Sequence, residues 1–305
     1  INRRRPNSFF SEFAGLSIVI VATCSQLQII DIEQGSPLSE PVKTGVIGSR
    51  PMLVADLNGD KHSDLLLTHQ VDGSNPAQDQ ILAWSIVDQK TLWTHTVDRA
   101  AHNQAIEQLP VIGQLADLDA DGFPELLVPA RTTRDMNSSR YSWGELETIS
   151  GASGQVRWSA RIYSCDAAAD QLVVGPDVDG DQIRDVFVAS QWGNCDQLVA
   201  ECHSGKDGSL VWIQSHPILQ NGSSYYVTQP ILWNSGDDGW PQLVVTLDST
   251  SHDDLLVLFS TRDGHVTHTT SVLTRYALPT VTAIEWMIYV LSKITVADAR
   301  PFPLD

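Results

Sequence analysis

The chain has 305 residues, with 19 Lys and Arg against 37 Asp and Glu, a formal net charge of −18 at pH 7. Its apolar fraction of 42% is enough for a real core, which argues against a disordered polyelectrolyte and fits one large domain or two ordinary ones. The acidic excess argues against nucleic acid as a partner, because a phosphate backbone would be repelled by most of this surface; it suits bound cations.

The chain begins at Ile1 rather than Met, which suggests a processed chain or a fragment. Arg3, Arg4 and Arg5 precede an apolar run over residues 14–22 that leads to Cys24. A signal peptide with a lipid-accepting cysteine is one reading. The run is short of a membrane span and rich in β-branched residues, so a strand at 18–21 pairing with 27–30 is the better one. A second apolar stretch, 278–296, is interrupted by Glu285 and Lys293. It reads as strands or a packed helix rather than a membrane span.

Between these ends the sequence repeats. The nonapeptides at 56–64 (Asp-Leu-Asn-Gly-Asp-Lys-His-Ser-Asp), 117–125 (Asp-Leu-Asp-Ala-Asp-Gly-Phe-Pro-Glu) and 177–185 (Asp-Val-Asp-Gly-Asp-Gln-Ile-Arg-Asp) superpose without gaps. A worn fourth copy occupies 234–242. Their first positions are 61, 60 and 57 residues apart. An apolar stretch precedes each loop and another follows it. A second apolar strand comes next, then a turn such as Ser153-Gly154 or Asp207-Gly208, then a strand bearing Trp93, Trp158 or Trp212. His268 takes the tryptophan's place in the fourth copy.

Four short antiparallel strands per unit of about sixty residues describe a blade of a β-propeller, and no unit has sustained helical periodicity. The predicted class is all-β: about four complete four-stranded antiparallel blades and one split blade, or a piece of a larger ring. Residues 1–15 read as an extension. The units run near 16–49, 50–109, 110–170, 171–228 and 229–272. The 16–49 unit lacks its first strand, which residues 273–305 would supply by closing the ring. Such closure would hide two sheet edges.

The loop spacing carries the chemistry. Oxygen ligands at positions 1, 3, 5 and 9 point inward if the loop coils about a centre, and position 7 can offer its backbone carbonyl. These are Asp56, Asn58, Asp60, His62 and Asp64; Asp117, Asp119, Asp121, Phe123 and Glu125; and Asp177, Asp179, Asp181, Ile183 and Asp185. Calcium takes six to eight hard oxygens in a flexible cage and is the predicted ion, three in all. Magnesium prefers to keep its waters, and transition metals prefer His or Cys. In the worn copy Asn234 and Asp238 are weak candidates, since Gly236 offers no side chain and Gln242 no charge. The rival reading of all these loops is a set of polar Asx turns without an ion.

Four cysteines, Cys24, Cys165, Cys195 and Cys202, show no CxxC spacing. A zinc or thioredoxin-like role is therefore disfavoured, and three full disulfide pairings stay open. Asn137 and Asn221 head two N-x-S sequons, which matter only in a secreted eukaryotic chain.

Over roughly residues 50–270 the loops resemble the calcium-binding FG-GAP repeats of integrin-α-type β-propellers and of related bacterial surface proteins. The resemblance implies a propeller whose ions brace the blade hairpins while ligands bind elsewhere on the ring face. The stretches 150–158 (Ser-Gly-Ala-Ser-Gly-Gln-Val-Arg-Trp) and 205–212 (Gly-Lys-Asp-Gly-Ser-Leu-Val-Trp) are similar to the tryptophan motif of quinoprotein-type propellers.

Three functions fit these features. The favoured one is a calcium-stabilised, extracytoplasmic interaction module that binds a protein or carbohydrate ligand and catalyses nothing. The second is a propeller enzyme, either a quinone-dependent dehydrogenase or a polysaccharide lyase. It is weakened because the tryptophans read as packing wedges and no HExxH or nucleophile elbow is present. The third is the ectodomain of a larger membrane protein. Extracellular, periplasmic or membrane-anchored placement follows in each case.

Overall fold

The computed structural model describes residues 7–272 apart from 14–15, 23–25, 32, 38–41, 44–45, 48–51, 72–77, 99–112, 135–141, 165–171, 193–195, 219–224, 229, 235–238 and 250–252. Within these residues it is all-β, with antiparallel pairing throughout and no helix. The strands form five sheets, I to V, each a meander of neighbours in chain order.

Sheet I contains Asn7–Phe13, Leu16–Ala22, Gln26–Asp31, Ser36–Pro37 and Val42–Lys43. The predicted pairing is present, with Ile18 opposite Asp31 and Ala22 opposite Leu27. The first strand is a correction. Asn7–Phe13, within the segment read as an extension, pairs along its whole length with Leu16–Ala22. A strand only two residues away along the chain closes a hairpin with far less loop entropy than one from the other terminus. The carboxy-terminal stretch, with Glu285 and Lys293, lies outside the described residues.

Sheets II to V are the repeat. Sheet II is Val46–Ile47 and Met52–Leu53, then Leu65–Val71, Gln78–Ser85 and Lys90–Asp98. Sheet III is Gly113–Gln114, Leu126–Arg134, Ser142–Ile149 and Val156–Ser164. Sheet IV is Leu172–Val174, Val186–Trp192, Gln197–His203 and Leu210–Pro217. Sheet V is Tyr225–Val227 and Ile231–Asn234, then Pro241–Ser249, Asp254–Ser260 and Val266–Val272.

In sheets II and V the first strand comes as two pieces on one neighbour. Both units therefore begin earlier than the boundaries drawn at 50 and 229. Pro230, at the break in sheet V, has no N–H to give the ladder.

The sheets pack in chain order. One core joins Leu66, Ala83 and Trp93 of sheet II to Leu126 and Val128 of sheet III. A second joins Leu127 and Trp158 to Val186 and Val188 of sheet IV. A third joins Phe187 and Cys202 to Leu243 and Phe259 of sheet V. The strand after each loop is apolar on both faces and buried; Leu65, Leu66 and Leu67 are each 1% exposed. Cys202 is a free, buried thiol, so it takes no part in a disulfide, and burial pushes its pKa up. Cys24, Cys165, Cys195 and the sequons at Asn137 and Asn221 lie outside the described residues.

The tryptophans lock each sheet to the next. Trp93 Nε1 donates to Gly151 O at 2.7 Å, Trp158 Nε1 to Gly205 O at 3.1 Å, and Trp212 Nε1 to Thr261 O at 2.9 Å. Each acceptor lies in the turn of the following sheet. The turn glycine is needed twice over. Gly208 has φ +75°, and a Cβ there would stand 2.6 Å from Trp158 Cε3. Gly154 and Gly264 stand in the same relation to Trp93 and Trp212. In sheet II the equivalent residue is Gln89, at φ +54°.

Candidate metal centres

The three nonapeptides adopt one conformation. Position 4 is left-handed in each: Gly59 at φ 82°, Ala120 at 61° and Gly180 at 83°. So is position 6: Lys61 at 69°, Gly122 at 94° and Gln182 at 73°. These paired reversals coil the chain about its own side chains. In the worn copy Gly239, also position 6, has φ 78°.

The hydrogen bonds repeat as well. The position 1 carboxylate accepts the position 6 N–H: Lys61 to Asp56 at 2.6 Å, Gly122 to Asp117 at 2.8 Å, Gln182 to Asp177 at 2.8 Å. The position 5 carboxylate accepts the position 7 N–H: His62 to Asp60 at 2.8 Å, Phe123 to Asp121 at 2.9 Å, Ile183 to Asp181 at 2.8 Å. The position 3 side chains of Asn58, Asp119 and Asp179 accept from the N–H of position 5. Position 9 reaches back to position 2: Leu57, Leu118 and Val178 each donate at 2.7 Å to Asp64, Glu125 and Asp185.

The carboxylates converge. Oxygens of Asp117, Asp119 and Asp121 lie within 4.8 Å of one another, as do those of Asp177, Asp179 and Asp185. Both clusters could hold a metal ion. In the loop at 56–64 the third member is Asn58, whose Nδ2 donates to Asp60 Oδ2 at 3.1 Å. Asn234 ends a strand opposite Pro241, and Asp238 lies outside the described residues.

The ninth position sets these loops apart from ordinary Asx turns, which cap their own exposed backbone. Asp64, Glu125 and Asp185 are each 0% exposed. Asp64 Oδ1 and Glu125 Oε1 have no hydrogen-bond partner. A buried carboxylate oxygen without a partner costs a full desolvation penalty. Burial, with repulsion from Asp60, Asp56 and Asp88, pushes the Asp64 carboxyl up to about 6. Burial likewise raises Glu125 and Asp185, with Asp117 and Asp121 adding repulsion to the first and Asp179 and Asp177 to the second. A cation at the loop centre removes the repulsion and supplies the missing partner. The donors are hard oxygens, so the residues present fit calcium.

One residue escaped the sequence reading. Arg157, just before Trp158, hydrogen-bonds Asp119 Oδ2 and stands 3.8 Å from Asp121 Oδ2 and 3.6 Å from Glu125 Oε1. The available signal was a lone base beside the tryptophan, in a register that faces the loop's ninth position.

Two further polar contacts cross between sheets. His95 Nε2 meets Glu147 Oε2 at 3.0 Å. Glu201 Oε1 accepts the Tyr163 N–H at 2.7 Å, while its Oε2 meets His203 Nε2 at 3.1 Å. These contacts hold neighbouring sheets in register.

No protein-family model matches the sequence, and no curated protein sequence matches it. Among solved structures the chain is similar to a quinohemoprotein alcohol dehydrogenase from Comamonas testosteroni, at 12% identity and a TM-score of 0.46. It is also similar to a europium-containing methanol dehydrogenase, at 10% identity and a TM-score of 0.47. In both cases 84% of this chain is covered; it spans 42% of the first neighbour and 60% of the second. A eukaryotic initiation factor is similar over 88% of this chain and 66% of its own, at 12% identity and a TM-score of 0.38. All three scores lie below 0.5. No helix among the described residues is long and apolar enough to cross a membrane.

Proposed function

We propose that the chain is a calcium-stabilised β-propeller, placed outside the cytoplasm, which serves as a non-catalytic binding module for a protein or carbohydrate ligand. Four consecutive antiparallel meanders, each wedged onto the next by a tryptophan turn, are how propeller blades stack. The residues that would hold the ions are positions 1, 3, 5 and 9 of each loop. When bound, calcium would supply charge neutralisation and rigidity at one end of each blade. The FG-GAP resemblance supports the same role.

The observation that carries this reading is the buried Asp64 Oδ1, which has no hydrogen-bond partner, at a place where the other two acid loops also bury a carboxylate, Glu125 and Asp185. Trp93, Trp158 and Trp212 are all engaged in sheet docking, which explains the quinoprotein-like motif without a quinone.

The test is thermal melting of the chain in chelator and in millimolar calcium. A calcium-dependent rise in Tm, with magnesium much less effective, supports the reading. An unchanged Tm removes its basis.

A further inference from the structure

Arg157 separates the loop at 117–125 from the other two. In sheets III and V the residue before the tryptophan position meets the loop's ninth residue. In sheet V Thr267 Oγ1 donates to Gln242 Oε1. In sheet III Arg157 Nε stands 3.6 Å from Glu125 Oε1. Sheets II and IV carry Leu92 and Val211 at this place, which bring no charge.

Arg157 does more than face Glu125. Its guanidinium also bonds Asp119 and approaches Asp121. One cation thus meets three of the four acids assigned to the ion. Glu125 is 0% exposed and its Oε1 has no hydrogen-bond partner, so the cage closes on a buried oxygen that requires a positive charge. Arg184, inside the loop at 177–185, is used differently: it donates to the backbone carbonyls of Gly175 and Val174.

We propose that Arg157 is a built-in counter-cation that competes with calcium for this one loop. The proposal rests on the metal reading above. It predicts that the chain takes up two ions tightly, at the loops beginning with Asp56 and Asp177, and a third only weakly. A guanidinium and a divalent ion repel each other and compete for the same carboxylate lone pairs, so one must leave before the other settles. Losing charge-assisted hydrogen bonds of this kind weakens the site by about ten- to a hundredfold. The loop at 117–125 would in return stay formed when calcium is scarce.

The test is calorimetric titration of the whole chain with calcium alone, with terbium luminescence as a second readout. The wild type should show two tight sites and one at least about tenfold weaker. Arg157→Leu, which installs the residue sheet II carries here, should bring the third site level with the others. Three equal sites in the wild type, or an unchanged profile in Arg157→Leu, overturns the competition and leaves the metal reading standing. No binding at any site overturns both. Should Arg157→Leu fail to fold, Leu92→Arg decides: competition lowers the tight sites from two to one, and an unchanged count overturns it.

Discussion

Sheet IV carries four aspartates in its loop, and the ninth residue, Asp185, is buried while accepting N–H groups from Val178 and Gly205. Sheet V keeps the strands and the left-handed turn at Gly239, but its third position is Gly236 and its ninth is Gln242, which bonds the hydroxyl of Thr267. Where the cage is lost, the buried charge is lost with it, and a neutral pair replaces it. The tryptophan docking does not follow: Trp212 still donates to Thr261 of sheet V. Docking holds the stack; the acid loops answer to a separate demand, which we assign to the ion.

That separation can be broken from either side. Trp158→Ala removes the wedge between sheets III and IV and should cost about 3–5 kcal/mol, read from denaturant unfolding. The number of calcium ions bound by the surviving folded protein should not change. A parallel loss of ions would show that docking and cage are one device.

Asp64 gives the next effect. Its folded pKa of about 6 lies above the ordinary aspartate value of 3.8. The folded state therefore holds a proton that the unfolded chain releases, and stability in chelator should fall as pH rises from about 4 through 6. The full shift corresponds to about 3 kcal/mol. Glu125 and Asp185, also raised by burial, act in the same direction. His216, lowered by burial, acts in the opposite one. Asp56 and Asp177 are held below the usual carboxylate range by backbone N–H groups that outweigh their desolvation, so their contribution is lost only at more acid pH. Asp64→Asn isolates the term: in chelator the variant should lose less stability than the wild type across that window. Identical slopes would contradict the assignment.

Calcium at a hundredfold excess over its dissociation constant should add about 2.7 kcal/mol per occupied loop. Asp185→Asn should remove one such increment, while Gln242→Ala in sheet V should remove none. Titration against urea unfolding reads both.

The smallest effect sharpens the docking side. Gln89 adopts a left-handed φ of 54°, so Gln89→Gly should stabilise by about 1 kcal/mol. Gly208→Gln, under Trp158, should destabilise instead, because its Cβ meets the indole ring.

Much of this was legible because it repeats. Apolar runs, Gly-containing turns and alternating acids recur at the same offsets, so each copy confirms the others. The role of the tryptophans was legible as packing, though not their hydrogen bonds. What escaped was what occurs once. Asn7–Phe13 has no counterpart loop before it to mark it as a strand. The first strands of sheets II and V are split, and the pieces at Val46–Ile47 and Tyr225–Val227 fell across the drawn boundaries. Arg157 sits 38 residues from its partner Asp119, and only the strand register brings them together.

The central claim is that repeated oxygen cages bind calcium. Its most direct test is a crystal structure grown in calcium with an anomalous-difference map. The account predicts peaks enclosed by Asp56, Asn58, Asp60 and Asp64 and by Asp177, Asp179, Asp181 and Asp185, with a weaker one beside Arg157. A map without peaks at any of the three loops would contradict it.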